Sequence, residues 1–297
     1  PLAPKVQEAE NLPPMAERGA RMMNVDQLAA LVPDGALLAM PPDNSLAPAE
    51  FARALVRRQV RGLRLLGVPV SGYATDLLIG AGCVASVQTS AVTLGEAGMA
   101  PRFTAAVAAG AIEVLDATCP AIHTMLQAAE KGVPFMPLRG VLGSDLVAHR
   151  PDWLVIDNPF APDADPILLV PALNPDFAAF HAVMGDRDGN VWVGRRRELG
   201  TIAHASRRTL ATVERIVDFN LLEDERLAPG TISSTYIDSV AVAERGCWPI
   251  ALLDQYDADP EHIRIYAKAA RTDAGFQDYL AQYVFAPAAV TAAQAAE

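Results

Sequence analysis

Several short stretches carry side chains suited to chemistry. Glu96 sits in Leu94-Gly95-Glu96-Ala97-Gly98, a glycine-flanked loop after an expected strand. A carboxylate there can serve as nucleophile, as general base, or as an acceptor that orients a substrate group. A solvated loop acid or a helix cap would use the same residue. Gly143-Ser144-Asp145 combines a glycine that permits close backbone approach with two side chains able to bond a ligand or cap the next segment. Arg139, just upstream, suits a carboxylate or phosphate, or a structural ion pair. Asn44 and Ser45 follow the first expected strand, where an Asn amide can donate to an oxyanion or simply form the turn. His181 lies inside an apolar run and reads as a core histidine. Cys119 at a helix start is either a reactive thiol or a buried one. Glu214 reads as closing a strand or facing a partner, and Asp186, Gly189 and Asn190 as a tight turn.

Positioning these residues requires strands that end where they stand. Apolar runs bounded by Pro, Gly and Asn predict buried strands at 36–40, 63–70, 84–89, 112–115 and 134–137. The stretch 154–194 forms the centre, with runs Ile167–Val170 and Phe177–Val183, a turn at 186–190 and a closing strand Val191–Gly194. Between the strands lie amphipathic segments. Asn24 or Asp26 caps a short helix to Leu31, and Pro48 opens a helix with Phe51, Ala54 and Leu55 on one face and Arg53, Arg57, Arg58 and Arg61 on the other. Further helices are expected at 76–82, 101–109, 118–131 and 202–211, with a strand as the alternative at 209–213, and a long one from Glu261 to Phe285. Strands alternating with crossover helices predict an α/β fold. In such sheets ligands bind beyond the carboxyl ends of strands, which selects loops 41–45, 71–73, 89–98 and 139–145 as site walls. The organisation read from the chain is a polar N-terminal arm, 1–24, one domain, 25–285, and a frayed Ala-rich tail, 286–297.

Composition narrows the function. Of 297 residues 51% are hydrophobic and 20% charged, enough for a large core and contrary to disorder. No apolar run approaches the roughly 20 residues that span a bilayer, and the N-terminus lacks the basic-then-apolar order of a signal peptide. Both features point to the cytoplasm and away from a membrane. A net charge of −11 argues against a broad nucleic-acid face. The basic runs 57–61 and 195–197 read as solvated faces, the second also able to meet an anionic ligand. Three widely spaced cysteines and five scattered histidines predict neither a disulfide framework nor a metal site.

The order of motifs resembles a known family. GALLAM (35–40), DLLIGAG (76–82), APRFTAAVAAGAIEV (100–114), AAEKGVPFMPLRGVLGSDL (128–146), DNPF (157–160) and LVPALNPDFAAFHAVMGDRDGNVWVG (169–194) resemble the A subunit of family I CoA-transferases, of the glutaconate and 3-oxoadipate type. The resemblance extends through Tyr256–Tyr266 and the last helix. It implies an open, mainly parallel sheet with helices on both faces. It implies a B-subunit partner, usually as two A plus two B. The implied reaction moves CoA between an acyl-CoA and a small carboxylic acid, by way of a glutamyl-CoA thioester whose glutamate belongs to the B subunit. Coenzyme A is then a substrate, and no permanently bound cofactor is expected. The Ser-Glu-rich motif of that glutamate is missing here, so the chain is expected to be half of an enzyme. The loop 41–45 is where the family binds the acyl part, which makes Asn44 and Ser45 candidate contacts, with Arg139, Gly143, Ser144 and Asp145 in the second loop.

This sequence departs from the family pattern in three places. Relatives carry Gly-Gly-Phe where Met40-Pro41-Pro42 stands, and Gly-Gly-Ala-His-Pro where Arg245-Gly246-Cys247-Trp248-Pro249 stands. The second change suggests a different acyl pocket. A related branch of steroid ring-cleaving hydrolases places an acidic residue near the helix start at Thr118-Cys119-Pro120, where this chain has none, although Asp116 is close. A hydrolase of the same fold, or a non-catalytic subunit that holds acyl-CoA, are the competing readings.

Overall fold

A computed structural model describes residues 20–286. The expected Ala-rich tail beyond 286 and most of the expected arm lie outside the described residues. Within that arm, however, Arg21–Met23 form a strand, β1, which pairs in parallel with Ser239–Val242 at the other end of the chain.

The remaining elements follow in order. They are α1 (Val25–Ala30), β2 (Leu37–Met40), α2 (Ala49–Arg57), β3 (Leu63–Gly67), α3 (Tyr73–Gly80), β4 (Val84–Thr89), α4 (Pro101–Ala108), β5 (Glu113–Asp116), α5 (Cys119–Glu130) and β6 (Phe135–Leu138). Then come β7 (Leu154–Asp157), β8 (Pro166–Pro171), β9 (Phe177–Asp186), β10 (Val191–Trp192), α6 (Arg197–Ala205), β11 (Arg208–Val217), β12 (Thr231–Ile232), β13 (Ser239–Val242), α7 (Pro260–Ala269) and α8 (Asp273–Tyr283).

The main sheet has the spatial order β1-β13-β11-β9-β2-β3-β4-β5, and every neighbouring pair along it is parallel. β10 pairs antiparallel with the far end of β9, and β12 pairs antiparallel with β10. The order runs outward in both directions from the β2–β9 pair, which is the switch point of an open α/β sheet. Strand alternation sends Leu38 and Met40 to one face and Ala39 to the other. One face carries α1, α2, α3, α7 and α8, and the other α5 and α6, each over its own apolar layer. Asn24 caps α1 with a reciprocal capping box through Gln27, and Thr118 caps α5. Among the described residues no helix is long and apolar enough to cross a membrane.

Several expectations are corrected by the packing. β6, β7 and β8 leave the main sheet and form a separate antiparallel sheet, order β6-β8-β7. Thus 154–194 is divided between two sheets, and only β9 sits at the centre of the main one. The stretch 202–211 is not one helix, because α6 ends at Ala205 and β11 begins at Arg208. The expected helix 261–285 is two, with Thr272 capping the second. Arg53 does not face solvent but is only 5% exposed. Its guanidinium donates to the Trp248 carbonyl at 2.9 Å and to Glu50 at 2.6 Å, so tertiary partners override the helix's polar stripe.

Candidate functional site

The loops after β2, β3 and β4 rise from the carboxyl ends of adjacent strands and enclose a cavity of about 670 Å³. Its walls are residues 42–44 after β2, 69–72 after β3, 93–97 after β4, and Ile250 with Ala258, Pro260, Ile263 and Arg264 at the start of α7. The lining is mostly apolar, with a few polar groups converging on it, as in small-molecule sites generally.

Asp43 is the most distinctive of those groups. Its Oδ2 accepts the Tyr73 amide at 2.9 Å, at the first residue of α3. A Cβ at Gly72 would overlap the Asp43 carboxylate, so a glycine is required for the two loops to approach this closely. Burial pushes the Asp43 carboxyl up to about 6, and the Tyr73 amide only partly offsets this. No cation stands within ion-pairing distance of it among the described residues. Such a carboxyl can hold or release a proton near neutral pH. Ser71, on the adjacent wall, is buried, and its hydroxyl has no hydrogen-bond partner among the described residues.

The candidate residues fall into separate groups. Asn44 and Glu96 both line the cavity and are exposed, and Glu96 stands in a 3-10 turn Gly95–Ala97. Ser45 does not line it. Ser45 is buried and donates to Glu198 at the start of α6. Arg139 is exposed and makes a two-pronged pair with Asp165, which crosses from the end of β6 to the start of β8. That partner holds the Asp165 carboxyl down to about 2. Gly143, Ser144 and Asp145 are exposed and lie outside the cavity walls. The Ser144 hydroxyl donates to the Val141 carbonyl at 2.8 Å, and Asp145 opens a 3-10 helix to His149.

A second polar group is fully internal. His181 is 0% exposed and bonds Thr212 at 2.9 Å through Nδ1 and Glu214 at 2.8 Å through Nε2. Glu214 also accepts the amides of Arg245 and Gly246, at 2.8 and 3.0 Å, and the Tyr256 hydroxyl at 2.9 Å. Burial raises the Glu214 carboxyl, but these donors outweigh it and hold the group below its ordinary value. The network therefore ties β9 and β11 to the segment 245–250, whose Ile250 is a cavity wall. Trp248 in that segment is not a cavity wall. Its indole donates to Asp259 at 3.2 Å and its ring lies 4.1 Å from that of His262. The departure at 245–249 thus shapes the support beneath the cavity rather than its surface.

Sequence reading marked loop 41–45 but passed over Asp43 and Ser71. The available signal was an Asp between Pro42 and Asn44 at a strand end and a Ser before Gly72. Neither shows on its own that the two loops meet.

Comparison with known proteins adds to this geometry. The pattern of the coenzyme A transferase family matches residues 22–242, from β1 to β13. This chain belongs to the coenzyme A transferase family. It is 29% identical over 251 residues to the A subunit of the glutaconate CoA-transferase of Acidaminococcus fermentans, covering 78% of this chain and 77% of that one. The solved glutaconate CoA-transferase from that organism shares the fold, with a TM-score of 0.81 at 24% identity over 90% of this chain and 89% of that one. A cholesterol ring-cleaving hydrolase IpdA subunit of Rhodococcus jostii is 30% identical over 246 residues, 80% of this chain and 83% of that protein. An uncharacterised protein of Archaeoglobus fulgidus is 30% identical over 237 residues, 78% of this chain. The chain spans about half, 51%, of that relative's length.

Proposed function

We propose that this chain is the A subunit of a heteromeric CoA-transferase that moves CoA between an acyl-CoA and a small carboxylic acid. The observation that carries the reading is the family match from β1 to β13, which takes in every strand whose carboxyl end borders the cavity. Residues 25–285 form the transferase unit, and the partner is a B subunit, in an assembly of two A plus two B in the cytoplasm. The partner supplies the glutamate that takes CoA as a thioester and passes it to the acceptor acid. Splitting one transfer into two is the advantage of such nucleophilic catalysis. This chain contributes the cavity, with Asn44 and Glu96 at its wall. Arg139, Gly143, Ser144 and Asp145 provide a second contact loop for CoA, and Ser45 supports the first. Coenzyme A enters as substrate, with no permanently held cofactor.

A hydrolase is the second reading, favoured by the 30% identity to the ring-cleaving hydrolase and by Asp43, which can take a proton from water in the cavity. One experiment separates them. The chain, co-purified with its partner, is incubated with a panel of acyl-CoAs, trapped with borohydride or hydroxylamine, and mapped by mass spectrometry. A modified glutamate on the partner, together with CoA transfer to an added acid, is the expected result. An adduct on Glu96 would move the nucleophile into this chain. Free CoA accumulating without an acceptor and without an adduct would overturn transfer in favour of hydrolysis.

A further inference from the structure

One basic run stands outside the site described so far. Arg195, Arg196 and Arg197 join β10 to α6, with Arg196 at the N-cap and Arg197 as the first helical residue. Arg195 and Arg197 are exposed and Arg196 is half-buried. None of the three pairs with an acid among the described residues. Glu198, next in sequence, is turned to the buried Ser45, whose hydroxyl donates to its carboxylate. Cations at the amino end of a helix face its positive pole, which is destabilising, so helix stability does not explain the run. The backbone that carries it is fixed, since the Val193 and Gly194 amides donate to the Gly230 carbonyl at 2.8 and 3.1 Å.

Position and charge indicate the ligand. Ser45 adjoins Asn44, a wall of the cavity, so the start of α6 and the cavity flank the same loop. The cavity lining does not suit a polyanion. It holds Asp43, Glu96 and one cation, Arg264, which is engaged by Glu261 at 2.8 Å. Other arginines near the carboxyl ends of the strands are committed as well. Arg139 pairs with Asp165, Arg150 pairs with Asp152, and Arg245 lies over the Tyr256 ring. A chain of net charge −11 repels an anion of several charges except where cations gather. CoA carries its charge at one end, on the phosphates of its nucleotide, and its pantetheine arm is uncharged. A guanidinium bonds phosphate in two-pronged fashion, and three in succession suit several phosphates better than one carboxylate.

We propose that Arg195, Arg196 and Arg197 form the site that receives the phosphates of the CoA nucleotide. The proposal rests on the acyl-CoA reading above, and its test is made at equilibrium, without turnover.

Dissociation constants are measured by calorimetry for CoA and for pantetheine at low and high salt, using the full chain with its partner. In the wild type, salt should weaken CoA and leave pantetheine unmoved. Joint replacement by Arg195→Gln, Arg196→Gln and Arg197→Gln should weaken CoA roughly tenfold at low salt, as three exposed charge contacts allow. The same variant should lose most of the salt dependence and keep its affinity for pantetheine. Joint replacement by Arg195→Lys, Arg196→Lys and Arg197→Lys, which keeps the charge, should recover part of the loss. Circular dichroism and gel filtration report whether each variant is folded and still bound to its partner. Should the joint Gln variant not fold, the three single Gln variants carry the same comparison, each with a smaller loss. Unchanged CoA affinity in a folded variant, or an equal loss for pantetheine, would overturn the proposal while leaving transfer intact. Release of the partner by the Gln variant would make the run a docking surface and overturn it too. If the wild type bound neither CoA nor pantetheine, the acyl-CoA reading itself would fall, and this proposal with it. Conversely, the expected losses without any CoA transfer would sink only the transferase reading.

Discussion

Replacing Asp43 by Asn should stabilise the fold in alkaline solution and not in acid. The folded carboxyl ionises near 6, against 3.8 for an exposed aspartate, because it is desolvated by the loops after β2 and β3. Below pH 3.8 it is protonated in both folded and unfolded chains and has no effect on the equilibrium. As pH rises toward 6 the unfolded chain gives up its proton first, so it binds fewer protons than the folded one and stability falls. Above both values the loss is complete, with a ceiling of about 3 kcal/mol. Asp43 is only half-buried, which lowers that ceiling, and roughly 1–2 kcal/mol is expected in practice. Asn keeps an oxygen for the Tyr73 amide and has no charge to desolvate. Urea unfolding of the two proteins at pH 4 and pH 8 isolates the effect, since any pH-independent cost of the substitution cancels. The variant should gain on the wild type between the two pH values by this amount, or by a few degrees in Tm. A gap that stayed constant from pH 4 to pH 8 would refute the reasoning and return Asp43 to an ordinary solvated acid.

Three further outcomes follow from the site and its support. Gly246→Ala should lower stability by about 2–3 kcal/mol in thermal or urea unfolding, because a Cβ there overlaps the His181 ring, which is pinned between Thr212 and Glu214. A variant within about 0.5 kcal/mol of wild type would show that the ring can move aside. Glu214→Gln should cost roughly 1–3 kcal/mol at pH 7. Because the folded Glu214 ionises below its ordinary value of 4.5, its contribution is present above 4.5 and is lost as pH falls through the folded value, so the gap between variant and wild type should close in acid. Alkylation of the native protein should label Cys119 alone, since Cys83 and Cys247 are buried and burial pushes both thiols up. Peptide mapping that found Cys83 or Cys247 labelled at a comparable rate would contradict the packing.

Much of the main sheet could be read from residue order, because its strands are short apolar runs closed by Gly, Pro or Asn, as at 84–89 and 177–186. What pattern could not supply was partnership across distance. The run 166–171 is as apolar as β9, yet it pairs with β6 and β7 outside the main sheet. A run of that kind reports burial, not which neighbour buries it. Arg53 was misplaced for the same reason, since its partner, the Trp248 carbonyl, is 195 residues away. At the site, loop 41–45 was found from the end of β2, but within it Asn44 and Ser45 stood out by residue type. Asp43 is distinguished only by its contact with Tyr73 and Gly72, and Ser71 only by the absence of one.

The switch point also bears on how the molecule is made. β2 lies between β3, which follows it directly, and β9, which begins about 140 residues later at Phe177. During synthesis the nascent β2–β5 half therefore emerges with the outer edge of the four-residue β2 unpaired, and that edge is covered only once the ribosome has delivered β9. β1, among the earliest strands, waits longer still for β13, and nonlocal pairing of this kind is slow. Fragments ending before residue 177 should be aggregation-prone pieces of a sheet rather than folded units.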